Sequence, residues 1–586
     1  MRVARHDRAN RVRVARHDRA NRGRAARVVQ YDLPTMDEAP DDPLARFRWH
    51  PEPELLGLGD EAASRAALES LGENAWRTSL DYLYREGVRR GTGPETYAEL
   101  RALHFGETCL PGHAPASPTR AAEILAEFTS RLAPYQLNPY HPGVLSYFTP
   151  PPLALSIVGE LLSQWINQGI DVYQAGPVGA FVEEEVNRWL CDLVGYDPAS
   201  WGVLTSGGTM ANLMALTVVR DVHLARLVAA AAAGLPASAA LDPARLVAAD
   251  IDAYPAAPRG AALDGVRVYA SDQAHFSVAK ALDILGFPEA TLHVVASDAR
   301  FRLRGAAVAA AIEEDSAAGL RPLAIAAVAG STNTGAVDAT GELADVAVAN
   351  GLWLHVDAAY GGAALLSARD AGRVPDLARA DSITIDPHKW FFQAYDIGGL
   401  LVRRHDDLKH TFHHEPEYYR HGHPGEEPIH WHQYSFEGTR RFRALKLWAS
   451  WKHLGTAGFG RLVAMNVDLA AHLAARIAES DDLAALPDGA PDLSVVCFRH
   501  VPGGLARVAA LDAADPAALD RYTDILCAAL NRSGEGWLST TTLRGRTYLR
   551  AGVVNYLSSP AAVDSILATL RRLSPAAAVA AGISAA

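Results

Sequence analysis

Short apolar runs separated by helix-length segments constrain this chain more than any other feature. Val266–Ala270, Leu323–Val328, Leu352–Val356 and Ile383–Ile385 read as buried strands, and Gly398–Val402 follows them. Strands spaced in this way need crossover connections, so the rhythm predicts an α/β fold with a mainly parallel sheet flanked by helices. A dinucleotide-binding domain is the obvious rival. It is excluded because no G-x-G-x-x-G follows a strand and no acidic residue lies at ribose-binding distance.

The chemistry-bearing residues sit at the ends of these runs. Ser382-Ile-Thr-Ile alternates like a strand and is stopped by Asp386-Pro387, which presents His388 and Lys389 at the strand end. Ligands of open α/β sheets bind at such ends, and a lysine there is a candidate Schiff-base nucleophile of the kind pyridoxal 5'-phosphate (PLP) enzymes use. Asp357 closes the apolar run Leu352–Val356, so burial obliges it to find a partner or a ligand. Gly207, Gly208 and Thr209 open an apolar helical run, where free backbone N–H groups and the positive helix end favour an anion. His275, in Ser271-Asp-Gln-Ala-His-Phe-Ser277, lies between a strand and a helix, where an imidazole can stack on a ring.

With these pieces in order, the chain resembles the PLP-dependent amino-acid decarboxylases of fold type I, the group of aromatic-amino-acid, glutamate and diaminobutyrate decarboxylases. The matching stretches are Thr205–Thr209, Asp272–His275, Gly330–Thr332, His355–Tyr360 and Asp386–Lys389, within a likeness running from about Asn138 to about Asn555. The resemblance implies that Lys389 carries PLP, that Gly207, Gly208, Thr209, Thr332 and His388 hold its phosphate, and that His275 stacks on its ring. It also implies that Asp357 keeps the ring nitrogen charged, with Ala359 and Asp386 beside the cofactor. His414-Glu-Pro-Glu-Tyr418 matches the loop that closes over the family's site, making Tyr418 the proton donor to Cα, with Tyr419 and His275 as alternatives.

Substrate residues follow from the same likeness. Tyr147 and Phe148 keep an aromatic pair, while Pro139 stands where the aromatic-acid enzymes have a tryptophan. Asp171 suggests either a substrate amine or a structural helix-cap or interface role. Arg550 falls where the glutamate enzymes grip a carboxylate, and it serves equally well as a prop for the C-terminal domain. The implied reaction is α-decarboxylation of a hydrophobic amino acid, branched aliphatic or aromatic, to its amine. A diaminobutyrate-type decarboxylase, or a lyase, aminotransferase or aldehyde-forming deaminase on the same fold, stays open.

Composition adds bounds. Residues 1–27 carry ten arginines and two aspartates, leaving a net −20 on the remainder, which argues against a nucleic-acid partner. Residues 2–11 recur as 13–22 and offer little to bury, which predicts a disordered tail over 1–30. The expected organisation continues with an N-terminal helical segment at 31–150 that clasps a second subunit in a homodimer. A PLP-binding large domain follows at 151–435, and a smaller C-terminal α+β domain at 436–586. Four scattered cysteines and no apolar membrane-length run point to a reducing, cytoplasmic setting without a membrane. His410–His432 holds seven histidines, read as part of the closing loop with no metal.

Overall fold

The computed structural model describes residues 50–56, 60–83, 95–106, 110–112, 114–241, 263–414 and 428–583. These fall into two compact units, one within Met1–Glu73 and Pro115–Ala122, the other within Asn74–Ala114 and Glu123–Ala586. In the smaller unit the Ala121 N–H donates to Glu52 Oε2 at 2.6 Å. Every strand named below and every described site residue belongs to the larger unit.

Seven strands form its main sheet: β1 (Trp201–Thr205), β2 (Val266–Ser271), β3 (Leu292–Val295), β4 (Arg321–Val328), β5 (Trp353–Asp357), β6 (Ser382–Ile385) and β7 (Gly398–Val402). Their order is β1-β7-β6-β5-β4-β2-β3. Pairings from β6 through β5, β4 and β2 to β3 are parallel, whereas β7 runs antiparallel to both β6 and β1. The α/β expectation is met, and the predicted strands appear within a residue or two of their predicted ends. β3 was not expected: only Val295 of its four residues is buried, so it lacks the apolar run of an inner strand. Two helices, Ala154–Ile166 and Pro177–Leu193, precede β1.

β1 is an edge strand held by side chains on its outer flank. Glu183 Oε1 accepts from the Leu204 N–H at 3.2 Å, and Arg440 donates to the Leu204 carbonyl and to Glu183, both at 2.6 Å. Arg440 and Glu183 are almost wholly buried, so each neutralises a charge the other could not leave in the core.

A second sheet of β8 (Leu483–Ala485), β9 (Val495–His500), β10 (Ser539–Leu543) and β11 (Arg546–Gly552) is antiparallel, in the order β10-β11-β9-β8. Helices Ala518–Ser533 and Pro560–Ala580 share an apolar core with it through Leu526, Leu530, Phe498, Leu549 and Leu567. The long helical run Ala444–Ala478, bent at Gly455, contributes to both cores.

Candidate active site

The carboxyl ends of β4, β5 and β6 and the start of helix Gly208–Val218 enclose a cavity of about 400 Å³. Ser206 to Met210, His275, Phe276, Thr332, Asp357, Ala359, Asp386, His388, Lys389 and Tyr395 contribute to its lining. Lys389 Nζ lies 3.0 Å from Asp386 Oδ2. Burial works against the Lys389 ammonium, yet the Asp386 and then the Asp357 carboxylate outweigh it and hold it above the usual lysine range. The lysine proton therefore rests beside a carboxylate that can accept it.

Asp357 is fixed from behind by a directed chain of hydrogen bonds. β5 and β6 place His355 opposite Ser382 and Asp357 opposite Thr384. Trp353 Nε1–H donates to Ser382 Oγ at 2.9 Å, and Ser382 Oγ lies 2.9 Å from His355 Nδ1. His355 Nε2 and Thr384 Oγ meet Asn212 Oδ1 at 3.0 and 2.6 Å. An amide oxygen only accepts, so His355 carries its proton on Nε2 and Nδ1 accepts from Ser382. The Asn212 amide then donates to Asp357 Oδ2 at 2.7 Å and to Ser277 Oγ at 2.8 Å. Asp357 Oδ1 accepts from the Ala359 N–H at 3.1 Å.

The same amide orients His275. Having accepted from Asn212, Ser277 Oγ donates to His275 Nδ1 at 2.7 Å, which leaves the proton of the neutral ring on Nε2. Burial foremost, with Lys389 adding to it, lowers the His275 pKa and keeps the ring uncharged. His388 is likewise held down by burial, and its Nδ1 lies 2.6 Å from the Ile397 carbonyl.

Sequence reasoning gave no role to Asn212, Ser277, His355, Thr384 or Tyr395. A signal existed for three of them. Asn212 is a polar residue inside an apolar helical run one turn after Gly208. His355 and Thr384 sit two residues before Asp357 and Asp386, hence on the same strand faces. Tyr395 carried no such mark.

The expected substrate residues divide. Tyr147 and Arg550 border a neighbouring cavity of about 410 Å³, which Thr332 shares with the first. Arg550 Nε donates to the Thr332 and Asn333 carbonyls at 2.7 and 3.2 Å, and its buried Nη2 has no hydrogen-bond partner. Phe148 is buried between the Arg550 guanidinium, 4.6 Å from its ring centre, and Tyr360, stacked at 4.1 Å. Asp171 lies outside the lining of the Lys389 cavity, its carbonyl accepting from the His432 N–H at 3.1 Å. Pro139 offers its carbonyl to Asn555 Nδ2 at 3.0 Å. Tyr418 and Tyr419 lie outside the described residues. Among those residues no His, Cys, Asp and Glu cluster suits a metal ion, and no helix is long and apolar enough to cross a membrane.

PLP needs an amine for its aldehyde, an acid at its ring nitrogen, a flat partner for its ring and N–H donors for its phosphate. Lys389, Asp357, His275 and the Ser206–Thr209 turn provide these groups around one cavity. The glycines keep it open: a Cβ on Gly208 would come 2.8 Å from Asp386 Oδ2, and one on Gly398 would come 2.5 Å from Gly207 Cα. Asp386 Oδ1 is buried without a hydrogen-bond partner, a polar atom left over for a ligand or water.

Comparison with known proteins accords with that fit. The pyridoxal-dependent decarboxylase conserved domain matches residues 254–501. The chain is 32% identical over 416 residues to an aromatic-L-amino-acid decarboxylase of Bacillus atrophaeus, covering 71% of this chain and 77% of that one. It is 31% identical over 458 residues to an L-2,4-diaminobutyrate decarboxylase of Rhizobium meliloti (strain 1021), covering 77% and 82%. The crystal structure of Oryza sativa TDC with PLP and tryptamine superposes with a TM-score of 0.73 at 25% identity, over 87% of this chain and 98% of that chain. The chain thus belongs to the pyridoxal-dependent decarboxylase family, as a fold type I carboxy-lyase that uses PLP to act on an amino acid.

Proposed function

We propose that the substrate is an L-amino acid with a hydrophobic side chain, aromatic or branched aliphatic, converted to its primary amine and CO₂. One observation carries this reading. Of the carboxylates among the described lining residues, Asp357 is held by Asn212 and Asp386 is paired with Lys389, both at the deep end, while Phe276 and Tyr395 stand 65% and 54% exposed. A basic substrate side chain would need a free carboxylate and an acidic one a free cation. Apolar rings instead favour an apolar partner.

When bound, PLP withdraws the electrons left at Cα as CO₂ departs. The chain's own residues hold the geometry. Asp357, clamped by Asn212 and Ala359, keeps its carboxylate facing the cavity, and Lys389 holds a proton at Nζ that Asp386 can take. His275 stays neutral and flat, as a stacking ring must. We assign to Tyr418 the return of a proton to Cα, on the loop likeness alone. Phe276 and Tyr395 add bulk at the mouth, and keeping dioxygen as well as water out there keeps the reaction from diverting to an aldehyde. Across Thr332, Arg550 is assigned to the substrate carboxylate and Tyr147 to the apolar side chain.

The reading further places the protein in the cytoplasm as a homodimer. Helix Ala154–Ile166 presents Leu161, Leu162, Trp165 and Ile166 at its exposed surface, a stripe that a second copy would cover. The reading divides the chain at 150 and 435 into the N-terminal segment, the PLP-binding domain and the C-terminal domain. Screening the twenty amino acids for CO₂ and amine release tests the substrate class. Preference for phenylalanine, tryptophan, tyrosine, leucine or valine is expected, and preference for diaminobutyrate or glutamate would overturn it. Tyr418→Phe should slow amine release and bring aldehyde and oxygen consumption beside continued CO₂ release. Unchanged amine, aldehyde and CO₂ rates would remove Tyr418 from its role.

A further inference from the structure

The turn Phe391–Ile397 joins Lys389 to β7 and folds back on the site. Its Ile397 carbonyl receives both the backbone N–H and Nδ1 of His388, at 3.2 and 2.6 Å, and its Tyr395 stands at the cavity mouth with its ring centre 4.6 Å from that of His388. What fixes the turn lies outside the cavity. The Leu153 N–H donates to the Phe392 carbonyl and the Ala394 N–H to Ser156 Oγ, each at 2.9 Å. Lys446 Nζ donates to the Asp396 carbonyl at 3.1 Å and to Glu160 Oε2 at 2.8 Å.

Charged neighbours close around that lysine. Arg441 bonds both Glu160 and Asp396, including the Asp396 carbonyl at 3.0 Å. Arg443 lies 3.6 Å from Asp396 Oδ1 and bonds Glu437 at 2.6 Å. The Arg441 side chain keeps 34% of its exposure, whereas that of Lys446 has none, so water cannot replace the contacts of Lys446. Helix Ala154–Ile166 packs so closely that a Cβ on Gly159 would meet Lys446 Cα at 2.7 Å. Burial pushes the Lys446 ammonium down to about 8, against the Glu160 carboxylate that raises it. An ion pair sealed on its lysine side adds little stability, because desolvation offsets its attraction. Its contribution lies in geometry.

We propose that Lys446 is a positioning residue for the decarboxylation. By tying the Asp396 carbonyl to Glu160, it sets the turn Phe391–Ile397, and through it His388 and Tyr395, against Lys389. No residue of the tether touches the reacting atoms.

The test compares Lys446→Met, Glu160→Gln and the double variant as holoenzymes. Measured are kcat, KM, the thermal midpoint and the rate of PLP release followed by its visible absorption. Lys446→Met should lower kcat about 10- to 100-fold, the scale of a misplacement near 1 Å, and speed PLP release several-fold. The double variant leaves neither charge of the pair alone in the core. It should regain thermal midpoint over the Lys446→Met variant without regaining kcat or PLP retention. Recovery of all three together would make the pair merely structural and overturn the proposal. So would a Lys446→Met enzyme with kcat and PLP release within twofold of the parent. Should Lys446→Met fail to fold, Glu160→Gln decides: it keeps the Asp396 bond on a weakened anchor and should lower kcat several-fold, and an unchanged kcat would refute the tether.

Discussion

The two ends of the Lys389 cavity are built on opposite terms. At the deep end, Trp353, Ser382, His355, Thr384, Asn212, Asp357 and Ser277 form one buried hydrogen-bonded chain that ends on His275. At the mouth, Phe276 and Tyr395 expose more than half of their surface. A satisfied buried network allows one arrangement, because any other leaves polar groups unpaired. Exposed rings tolerate several. On the proposed function, the chemistry falls to the rigid end and the choice of substrate to the end that can vary without unfolding the protein.

The sharpest break in this comparison is Lys389→Ala, which should reduce turnover below detection while the fold persists. A borohydride-reducible PLP adduct persisting on another lysine, Lys280 for instance, would show that the deep end had been misassigned. Asp357→Asn comes next. It should cost several orders of magnitude in kcat with PLP still bound, far beyond the roughly 1 kcal/mol of one lost hydrogen bond. A near-parental rate would reduce Asp357 to a structural residue.

Asn212→Ala tests whether the network is a unit. It strips partners from Asp357, His355, Thr384 and Ser277, so a stability loss of about 1–3 kcal/mol or more is expected from the groups left unsatisfied. Chemical denaturation measures it, and a loss under 0.5 kcal/mol, the ordinary scale of a surface change, would contradict a cooperative network. At the mouth, the smallest effect is expected: Phe276→Ala should raise KM for an apolar substrate roughly tenfold or less with little change in kcat. A fall in kcat alone would move Phe276 to the chemical end.

Acid tests the buried histidines. Burial holds His355 down to about 4 and His223 to about 3, so both are neutral in the fold. An unfolded histidine takes up its proton near pH 6.5, so the folded state loses stability as pH falls below that value, down to those two lower ones. The expected slope is about 1.4 kcal/mol per pH unit per histidine, read from denaturation at several pH values. Replacing His355 with Gln should make the slope shallower. A slope unchanged by the replacement would mean that His355 is protonated in the fold.

How much of this was legible depends on where each signal resides. The strands β2, β4, β5, β6 and β7 could be read because inner strands covered on both faces are apolar throughout. β3 could not, since an edge strand with exposed positions lacks that mark. Lys389, Asp357, His275 and the Gly207–Thr209 turn stood out because a reactive or charged group ending an apolar run is conspicuous. Asn212 and His355 were equally conspicuous as polar residues inside apolar runs, but their partners lie 145 and 143 residues away along the chain. Only the fold brings those pairs together. The place of Phe148 between Arg550 and Tyr360 could not be foreseen for the same reason.

The flank of β1 has a consequence beyond the site. An edge strand normally offers unpaired backbone groups on which a stray strand from another molecule can be templated. Here Glu183 and Arg440 occupy both backbone groups of Leu204, two residues from the Gly202 position. The buried pair thus acts as a stopper against self-association through the sheet, at the price of a charge in the core. Homologues or engineered variants that exchange the pair for apolar residues would gain packing yet reopen the edge. Their weakness would appear as aggregation during refolding or storage, while their catalytic constants stayed normal.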